Sequence, residues 1–417
     1  MSQSPSIIMI SVWIGVFQML VDVYVLAHWT SAVRKMQLSV WWYRIAWGLA
    51  IVMGALYWYV VYRRNFYRLD GLDVTLFAAV TLWSLPKLAI LPVLLVRDVV
   101  ALIRRVRNIF TSRGQVNLTA VPTAVVPNES RRRVLAKTAW GLSVLPYGVA
   151  ANGMFNTLYD FRVHNVEVEL PNLPRALDGL RIVQISDIHA GSFQDHTPFQ
   201  EARRIIDSLK PDILVITGDF VNAKPDELRV IYTEFEKLRA AEGVIGVLGN
   251  HDHYHSKEDH ARLVSGIRAA GIDLLINEQR VVTVGSERLV LAGTDNTGFR
   301  QNYARLERAL ANVTTDDAVI LLAHDPTFFE RGVQGAPVGL MVSGHTHGGQ
   351  VGLSMLGMEW SPAQYVYKHW AGLYKEGEQL IYVNRGLGTV GPPMRIGIQP
   401  EITHFTLRSP TLDQRKA

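Results

Sequence analysis

The first hundred residues are dominated by three long apolar segments, at residues 7–27, 38–62 and 74–96. Each is long enough to cross the hydrocarbon core of a bilayer, which takes about 20 residues of helix. Tryptophan and tyrosine cluster at the ends of the second segment, as expected where amphipathic rings lie at the lipid headgroups. The pattern therefore predicts three transmembrane helices, and a soluble helical bundle is the alternative.

A fourth, weaker apolar segment at residues 134–155 is interrupted by Lys137 and Pro146 and follows a basic loop at residues 97–133. The loops before the second and fourth segments together carry ten lysine and arginine residues, against three in the loop before the third. Because cytoplasmic loops are enriched in these residues, four crossings would place both termini outside. The sequence "SRRRVLAK" at the start of the fourth segment resembles either a twin-arginine export signal or a basic stop-transfer cluster.

Asp22 and Lys87 lie inside predicted spans. A charge in a membrane-spanning segment is costly and is usually paired or functional. We expect these two residues to pair with each other or to face the interior of the helix bundle.

From about residue 156 the pattern changes to short β-rich apolar runs that alternate with amphipathic helical stretches. This alternation is typical of a layered α/β domain. We expect a membrane domain at residues 1–155, a linker with a lead-in strand at 156–179, an α/β domain at 180–408 and a tail at 409–417. Strands are predicted at 180–186, 212–218, 243–249, 289–294, 318–324, 338–344 and 379–384, and helices at 199–209 and 227–240.

The composition supports a membrane part and limits the chemistry. Hydrophobic residues make up 48% of the 417 residues, which is high for a soluble protein. The net charge of +5 could suit nucleic acid, but the basic residues are concentrated before residue 135 rather than along a binding face, so no nucleic-acid partner is expected. The absence of cysteine excludes disulfides and thiolate ligands, so any metal must be bound through oxygen and nitrogen.

Polar side chains follow five of the predicted strands at the point where each strand ends. The carboxyl ends of strands are where the loops of an open α/β sheet converge and ligands bind. Five such groups in register therefore indicate one site. They are Asp187 and His189, Asp219, the trio Asn250, His251 and Asp252, the pair His324 and Asp325, and the pair His345 and His347.

Carboxylates and imidazoles without thiolates suit manganese, iron or zinc ions, and their number here exceeds what one ion needs. Two divalent ions are therefore predicted. Two ions about 3.5–4 Å apart can stabilise the attacking and leaving oxygens of a phosphoryl displacement and can activate a water molecule. Phosphoester hydrolysis is the reaction class that this arrangement favours.

The motifs "SDIH", "GDF", "GNHD", "AHDP" and "GHTH" resemble, in this order, those of the calcineurin-like metallophosphoesterases, over residues 180–405. The additional "GGQ" and "VNRGLGT" are similar to a bacterial membrane-associated branch that includes phosphodiesterases acting on UDP-2,3-diacylglucosamine. The resemblance implies a four-layer αββα sandwich, preceded here by the transmembrane helices, with the metal site at the carboxyl ends of the strands.

The resemblance also implies a role for each residue of the motifs. His251 would contact the phosphate and protonate the leaving oxygen, a step typically worth about 10²- to 10⁴-fold in rate. The carboxylate of Asp219 would bridge both ions. The first ion would be bound by Asp187, His189 and His347, and the second by Asn250, His324 and His345.

One position departs from the family pattern. Many relatives carry an aspartate three residues after the bridging one, able to orient the catalytic histidine, whereas this chain has Asn222. An amide accepts a hydrogen bond but gives an imidazolium less electrostatic support. Asn222→Asp is therefore expected to raise turnover.

Further candidates surround the metal ligands. Asp252 belongs to the "GNHD" motif, and Arg385 in "VNRGLG" either meets a phosphate, whose geometry a guanidinium matches, or forms a structural salt bridge. The remaining histidines of the same region are interpreted as a solvated polar face, with substrate contact as the alternative. They are His253, His255 and His260.

Together these patterns predict a multi-pass protein of the bacterial inner membrane, with an extracytoplasmic dinuclear-metal phosphoesterase domain. A bilayer-anchored enzyme favours a lipid-linked phosphodiester or pyrophosphate, because tethering confines it to the surface that concentrates such substrates. One alternative is a cytoplasm-facing UDP-2,3-diacylglucosamine pyrophosphohydrolase. Others are a catalytically silent metal-binding scaffold and a transporter or sensor regulated by the phosphoesterase domain.

Overall fold

The computed structural model of the chain describes residues 5–66, 71–111, 129–284, 287–298, 301–355 and 358–410. Two of the counted loop arginines, Arg68 and Arg113, lie outside the described residues, as do the side chains of the "RRR" run and most of the tail. The chain divides into two compact units, Met1–Met154 and Phe155–Ala417. Each is described by itself.

The regular elements among the described residues of the first unit are all helices. Three of its helices are long and apolar enough to cross a membrane, over Ser11–Lys35, Trp41–Arg63 and Leu72–Phe110, as predicted. The helices are α1 (Pro5–Lys35), α2 (Trp41–Phe66), α3 (Gly71–Thr111), α4 (Glu129–Leu142) and α5 (Leu145–Phe155).

The fourth, weaker apolar segment does not form one continuous helix. The segment forms α4 and α5, which have 14 and 11 residues and are separated by a turn just before Pro146. Proline lacks a backbone N–H, so it is tolerated in the first turn of a helix but interrupts a continuous one. Neither helix alone reaches the length of a span, and the described residues contain three candidate spans.

Asp22 and Lys87 pair with each other, as expected. Nζ of Lys87 lies 2.6 Å from Oδ1 of Asp22, and both residues are buried between α1 and α3. Trp83 donates from Nε1 to the other oxygen of Asp22 at 3.1 Å, and its ring lies 3.3 Å from the ammonium group. The indole of Trp83 therefore contacts both members of the ion pair.

The second unit is built on two six-stranded mixed sheets and one small hairpin. The first sheet has the order β1-β14-β2-β3-β4-β5 and the second has the order β12-β13-β9-β8-β7-β6, while β10 and β11 pair only with each other. All seven strands predicted individually are present. The strands are β1 (Arg162–Glu169), β2 (Arg181–Ile185), β3 (Ile213–Thr217), β4 (Val244–Val247), β5 (Ile272–Leu274), β6 (Glu278–Val284), β7 (Glu287–Gly293), β8 (Ala318–Leu322), β9 (Leu340–Ser343), β10 (Leu353–Met355), β11 (Met358–Trp360), β12 (Gly372–Glu376), β13 (Gln379–Val383) and β14 (Glu401–Arg408).

Four helices accompany the sheets, and one of them departs from its prediction. Instead of a helix over 227–240, the chain forms a 3₁₀ turn at Pro225–Val230 and a single helical turn. The buried carboxylate of Glu227 accepts hydrogen bonds from three successive backbone amides before it, which fixes this segment as a loop. The helices are α6 (Thr197–Leu209), α7 (Tyr232–Phe235), α8 (Lys257–Ala269) and α9 (Leu306–Ala309).

Alternating side chains of the buried strands fill two different cores. Ile213 and Val215 of β3 point towards the second sheet and pack in one cluster with residues of β7, β8 and β9. Leu214 and Ile216 point the other way, into a cluster that includes Phe199 of α6 and other residues of α6 and α8. Phe329 and α9 cover the outer face of the second sheet. The unit is therefore a four-layer αββα sandwich.

Candidate metal centre

The polar residues predicted at the strand ends converge at one edge of the sandwich. The sequence pattern suggests that one sheet carries them, whereas the structure divides them between two. Strands β2, β3 and β4 belong to the first sheet, and β8 and β9 to the second. The carboxyl ends of strands in both sheets meet there, so the site lies across the central core.

The first group consists of Asp187, His189 and His347. Nε2 of His189 lies 3.1 Å from Nε2 of His347, and Nε2 of His347 lies 3.3 Å from Oδ1 of Asp187. All three side chains are buried, and their potential ligand atoms lie within 4.8 Å of one another. Two imidazole nitrogens and a carboxylate oxygen therefore face a common point.

The second group consists of Asp219, Asn250, His324 and His345. Nε2 of His324 is the central atom, at 3.1 Å from Oδ2 of Asp219, 3.2 Å from Oδ1 of Asn250 and 3.3 Å from Nδ1 of His345. The same Oδ2 of Asp219 lies 3.5 Å from Nε2 of His189. Asp219 is thus the residue that the two groups share.

The backbone at this edge is held in an unfavourable conformation. Residues with a Cβ rarely adopt positive φ, and a position held there costs of order 1–3 kcal/mol. Such strain concentrates where a precise side-chain direction is required. Five members of the two groups have φ between 44° and 72°, namely Asp187, His189, Asp219, His345 and His347.

Burial and neighbouring charges determine which side chains of the two groups carry a proton. Burial lowers the pKa of His189 and of His347 well below the ordinary value, so both rings are neutral. Burial opposes ionisation of Asp219, but His324 and His251 hold the pKa of its carboxyl well below the usual range. Although burial favours a neutral His324, the Asp219 carboxylate raises its pKa to about 10. An ion bound by His324 would therefore displace a proton.

His251 lies beside both groups with one ring nitrogen engaged. Its Nδ1 lies 2.6 Å from the backbone carbonyl of Asn222, and its backbone N–H donates to Oδ1 of Asp219 at 2.8 Å. Since a carbonyl only accepts, Nδ1 carries a proton and the other nitrogen, Nε2, is available for chemistry. The Asn222 side chain instead donates to the carbonyl of Thr389, so it is the backbone and not the amide that orients His251.

Comparison with known proteins agrees with this geometry. A family model described as "Calcineurin-like phosphoesterase" matches residues 180–349, and one described as "Probable Calcineurin-like phosphoesterase, transmembrane domain" matches residues 5–157. "Uncharacterized metallophosphoesterase YkuE" of Bacillus subtilis is 32% identical, over 59% of this chain and 84% of that protein. An "Uncharacterized metallophosphoesterase" of Aquifex aeolicus is 31% identical, over 60% of this chain and 93% of that protein.

The chain belongs to the metallophosphoesterase family. A larger relative, "Transmembrane protein with metallophosphoesterase domain" of Danio rerio, is 32% identical over 68% of this chain. The chain covers only 64% of the length of that relative.

In this metallophosphoesterase Asp252 connects the loops that carry Asp219 and Asn250. Its buried carboxylate accepts hydrogen bonds from the backbone N–H groups of residues 219, 220, 221 and 249, at 2.9–3.3 Å. Four amide donors satisfy a buried carboxylate and fix the strand-end loops against each other. Asp252 therefore positions the groups without facing them.

Arg385 forms a structural salt bridge. Its guanidinium pairs with Glu401 at 2.5 Å and also with Glu359, and the side chain is buried. A guanidinium engaged by two carboxylates has little free capacity for a phosphate. Of the two alternatives for Arg385, the ion pair is the one that the structure contains.

Sequence reasoning missed Arg395, a fully buried residue at the same edge. Its Nη2 donates to the backbone carbonyls of residues 385, 386 and 388 at 2.6–3.1 Å. The loop so held packs closely on the first group, since a Cβ at Gly386 would lie 2.8 Å from Cβ of Asp187, and one at Gly388 only 2.2 Å from the carbonyl oxygen of Ile188. Arg395 has no motif signature, because its role depends on the loop conformation alone.

The interpretation of the other histidines as a solvated face is wrong. His253 lies 2.7 Å from Oδ1 of Asp295 and is only 10% exposed, and it stacks on His260 at 4.6 Å between ring centroids. His260 in turn lies 2.9 Å from the backbone carbonyl of Asp252. These rings support the loop that carries Asn250 and His251.

Proposed function

We propose that this chain is a membrane-anchored, dinuclear-metal phosphoesterase. The observation that carries the proposal is that two groups of potential metal ligands, all buried except the half-buried His345, meet through one shared carboxylate, Asp219. Two metal ions require such a convergence of histidine nitrogens and carboxylate oxygens as their ligands.

The residues present fit the metals that the family implies. Asp187, His189 and His347 would bind one ion, while Asn250, His324 and His345 would bind the other, and Asp219 would contact both. A donor set of oxygen and nitrogen atoms suits manganese, iron or zinc. When bound, two such ions lower the pKa of a water molecule and neutralise charge on the phosphoryl oxygens.

The chain itself supplies the proton for the leaving group. In its doubly protonated form, His251 would donate the Nε2 proton to the leaving oxygen as the bond of that oxygen to phosphorus breaks, while the Asn222 carbonyl accepts from Nδ1–H and keeps the ring in place. A leaving oxygen with a high pKa depends most on this proton.

The membrane helices favour a substrate that lies at a bilayer surface. A lipid-linked phosphodiester or pyrophosphate fits an anchored enzyme, because anchoring raises the effective concentration of such a substrate. The positive-inside count supports an extracytoplasmic unit when α4 and α5 cross the bilayer in tandem. Their exposed apolar side chains, including Val144, Leu145 and Val149, are compatible with such a crossing.

The count of three candidate spans favours a second possibility. With three crossings the same charge rule keeps the unit on the cytoplasmic side together with the basic loop. A nucleotide-linked lipid precursor such as UDP-2,3-diacylglucosamine would then be accessible.

Two measurements test the proposal. Purified full-length protein should contain about two divalent ions per chain, and removal of the ions with a chelator should abolish hydrolysis of bis(p-nitrophenyl) phosphate until a metal is restored. Retention of full activity without metal would contradict the proposal. Protease accessibility of an epitope after Ala417 distinguishes an extracytoplasmic from a cytoplasmic α/β unit. Digestion in cells with an intact inner membrane indicates the first, and protection until lysis indicates the second.

A further inference from the structure

The exposed apolar surface of the α/β unit is concentrated in one segment, residues 351–366. Among the described residues from Phe155 onward, eleven large hydrophobic side chains are exposed, and six of them lie in this segment. Single exposed apolar side chains are ordinary on a soluble protein, but a cluster marks a contact surface. We refer to these six as the hairpin patch: Val351, Leu353, Met358, Trp360, Tyr365 and Val366.

The hairpin of β10 and β11 exposes its apolar face, whereas a hairpin that faces water usually exposes its polar face. Leu353 pairs directly with Trp360, and since side chains alternate between faces, Met358 shares their face. Leu353 and Met358 are 64% and 70% exposed. On the opposite face Glu359 pairs with the buried Arg385. The hairpin is thus held to the protein through its polar face and presents its apolar face outward.

The hairpin patch borders the candidate metal centre. Nε1 of Trp360 lies 3.4 Å from the hydroxyl of Tyr365, which joins the hairpin to the segment that follows it. Two residues further on, the hydroxyl of Tyr367 lies 3.4 Å from Nε2 of His345. The segment that carries the hairpin patch is therefore linked, through Tyr365 and Tyr367, to the edge of the candidate metal centre.

We propose that the hairpin patch lies in the interfacial layer of the bilayer to which the chain is anchored. This inference rests on the proposed function, and it identifies the surface that brings the metal centre to a phosphoester in a lipid headgroup. Tryptophan and tyrosine together with aliphatic side chains are the composition found at the headgroup boundary. The three apolar helices of the same chain keep a bilayer within reach of this surface.

The absence of cysteine from the chain makes a specific test possible, because one introduced thiol gives one label. Met358→Cys is labelled with the environment-sensitive fluorophore NBD in full-length protein, in nanodiscs of phosphatidylethanolamine and phosphatidylglycerol. Ser354→Cys is the control on the opposite face of the hairpin, since Ser354 pairs with Glu359. Val281→Cys, at a 42% exposed apolar position on β6, is the control at the far edge of the second sheet.

We expect doxyl-labelled lipid to quench the label at Met358→Cys more strongly than at Ser354→Cys, and to leave the label at Val281→Cys unchanged. Strong quenching of Met358→Cys by aqueous iodide would overturn the proposal, because the hairpin patch would then face water. Protection from both quenchers would also overturn it, since the patch would then pack against protein, either the membrane helices or a second copy.

Hydrolysis of bis(p-nitrophenyl) phosphate by the same labelled proteins separates the two proposals. Activity combined with a water-exposed label contradicts the membrane contact and leaves the proposed function standing. Lipid contact without activity supports the contact and contradicts the proposed function.

Discussion

The two units of this protein each bury charged side chains, and the two clusters have opposite character. In the helical unit, Lys87 and Trp83 both engage the carboxylate of Asp22. In the α/β unit, the Nε2 atoms of His189 and His347 face each other at 3.1 Å, and Oδ1 of Asp187 lies 3.3 Å from Nε2 of His347. Neutral imidazole nitrogens and a carboxylate oxygen that converge in this way are typical ligands of a divalent ion. The first cluster is complete as protein, and the second calls for an ion.

The backbone carries the same distinction. Asp22 and Lys87 lie inside regular helices, whereas five residues of the metal centre have left-handed φ angles. Strain of this kind persists only where the surrounding structure enforces it. Buried charge alone is therefore a weak sign of function, and it becomes a strong one when convergent imidazole nitrogens and a strained backbone accompany it.

The largest effect is expected from Asp219→Ala, which removes the carboxylate shared by the two groups. We expect metal content to fall and hydrolysis to be lost, because both ions lose a ligand. Elemental analysis and turnover of bis(p-nitrophenyl) phosphate measure the two effects. Asp273→Ala, at an exposed carboxylate on β5, is the matched control and should change neither. Near-normal turnover of Asp219→Ala would rule out the dinuclear assignment.

His251→Ala separates proton donation from metal binding. We expect both ions to be retained while the rate falls by about 10²- to 10⁴-fold, the usual contribution of general acid catalysis. The loss should be greatest for esters whose leaving group has a high pKa, which a series of substituted phenyl esters measures. Loss of metal in this variant would instead identify His251 as a ligand.

Lys87→Met addresses the other cluster, because it leaves the buried Asp22 without its cation. Breaking a buried ion pair typically costs about 3–5 kcal/mol, so we expect the unfolding temperature of the detergent-solubilised chain to fall. Metal content of the folded protein should not change. The double variant Asp22→Leu with Lys87→Met should recover much of the stability, and failure to do so would mean that the pair has a role beyond packing.

Asn222→Asp should have the smallest effect. The backbone carbonyl of Asn222, rather than its side chain, accepts the hydrogen bond from His251, so an added carboxylate has no direct contact to improve. We expect turnover close to that of the unmodified protein, contrary to the expectation from sequence alone. A clear rise in turnover at constant metal content would show that the side chain reaches the imidazole.

The sequence predicts the strands that carry the site because they are apolar runs that end at a polar group. The run at Ile213–Thr217, buried at every position, is an example. The same rule misses β14, where Glu401 and Thr403 place polar side chains at buried positions. Glu401 accepts a hydrogen bond from the hydroxyl of Tyr382 in β13, and Thr403 accepts one from the side-chain amide of Asn384, the residue after β13. Hydrophobic periodicity cannot reveal these contacts.

The candidate site is predictable in its residues and not in its architecture. Residue type and position at the strand ends identify the side chains that the structure brings together. Periodicity describes each strand's own faces, so it does not show that two sheets contribute ligands to one edge. Arg395 is invisible to such reasoning, because its three acceptors are backbone carbonyls.

The last histidines of both groups come from one short loop late in the chain. His345 lies with Asp219 and His324, and His347 lies with Asp187 and His189. Whether the chain emerges from a ribosome or crosses a membrane unfolded, neither group can form before this loop has arrived. The proposed centre therefore cannot be complete until this loop has folded, and the compartment in which the loop folds would set which of the available metals the centre takes up.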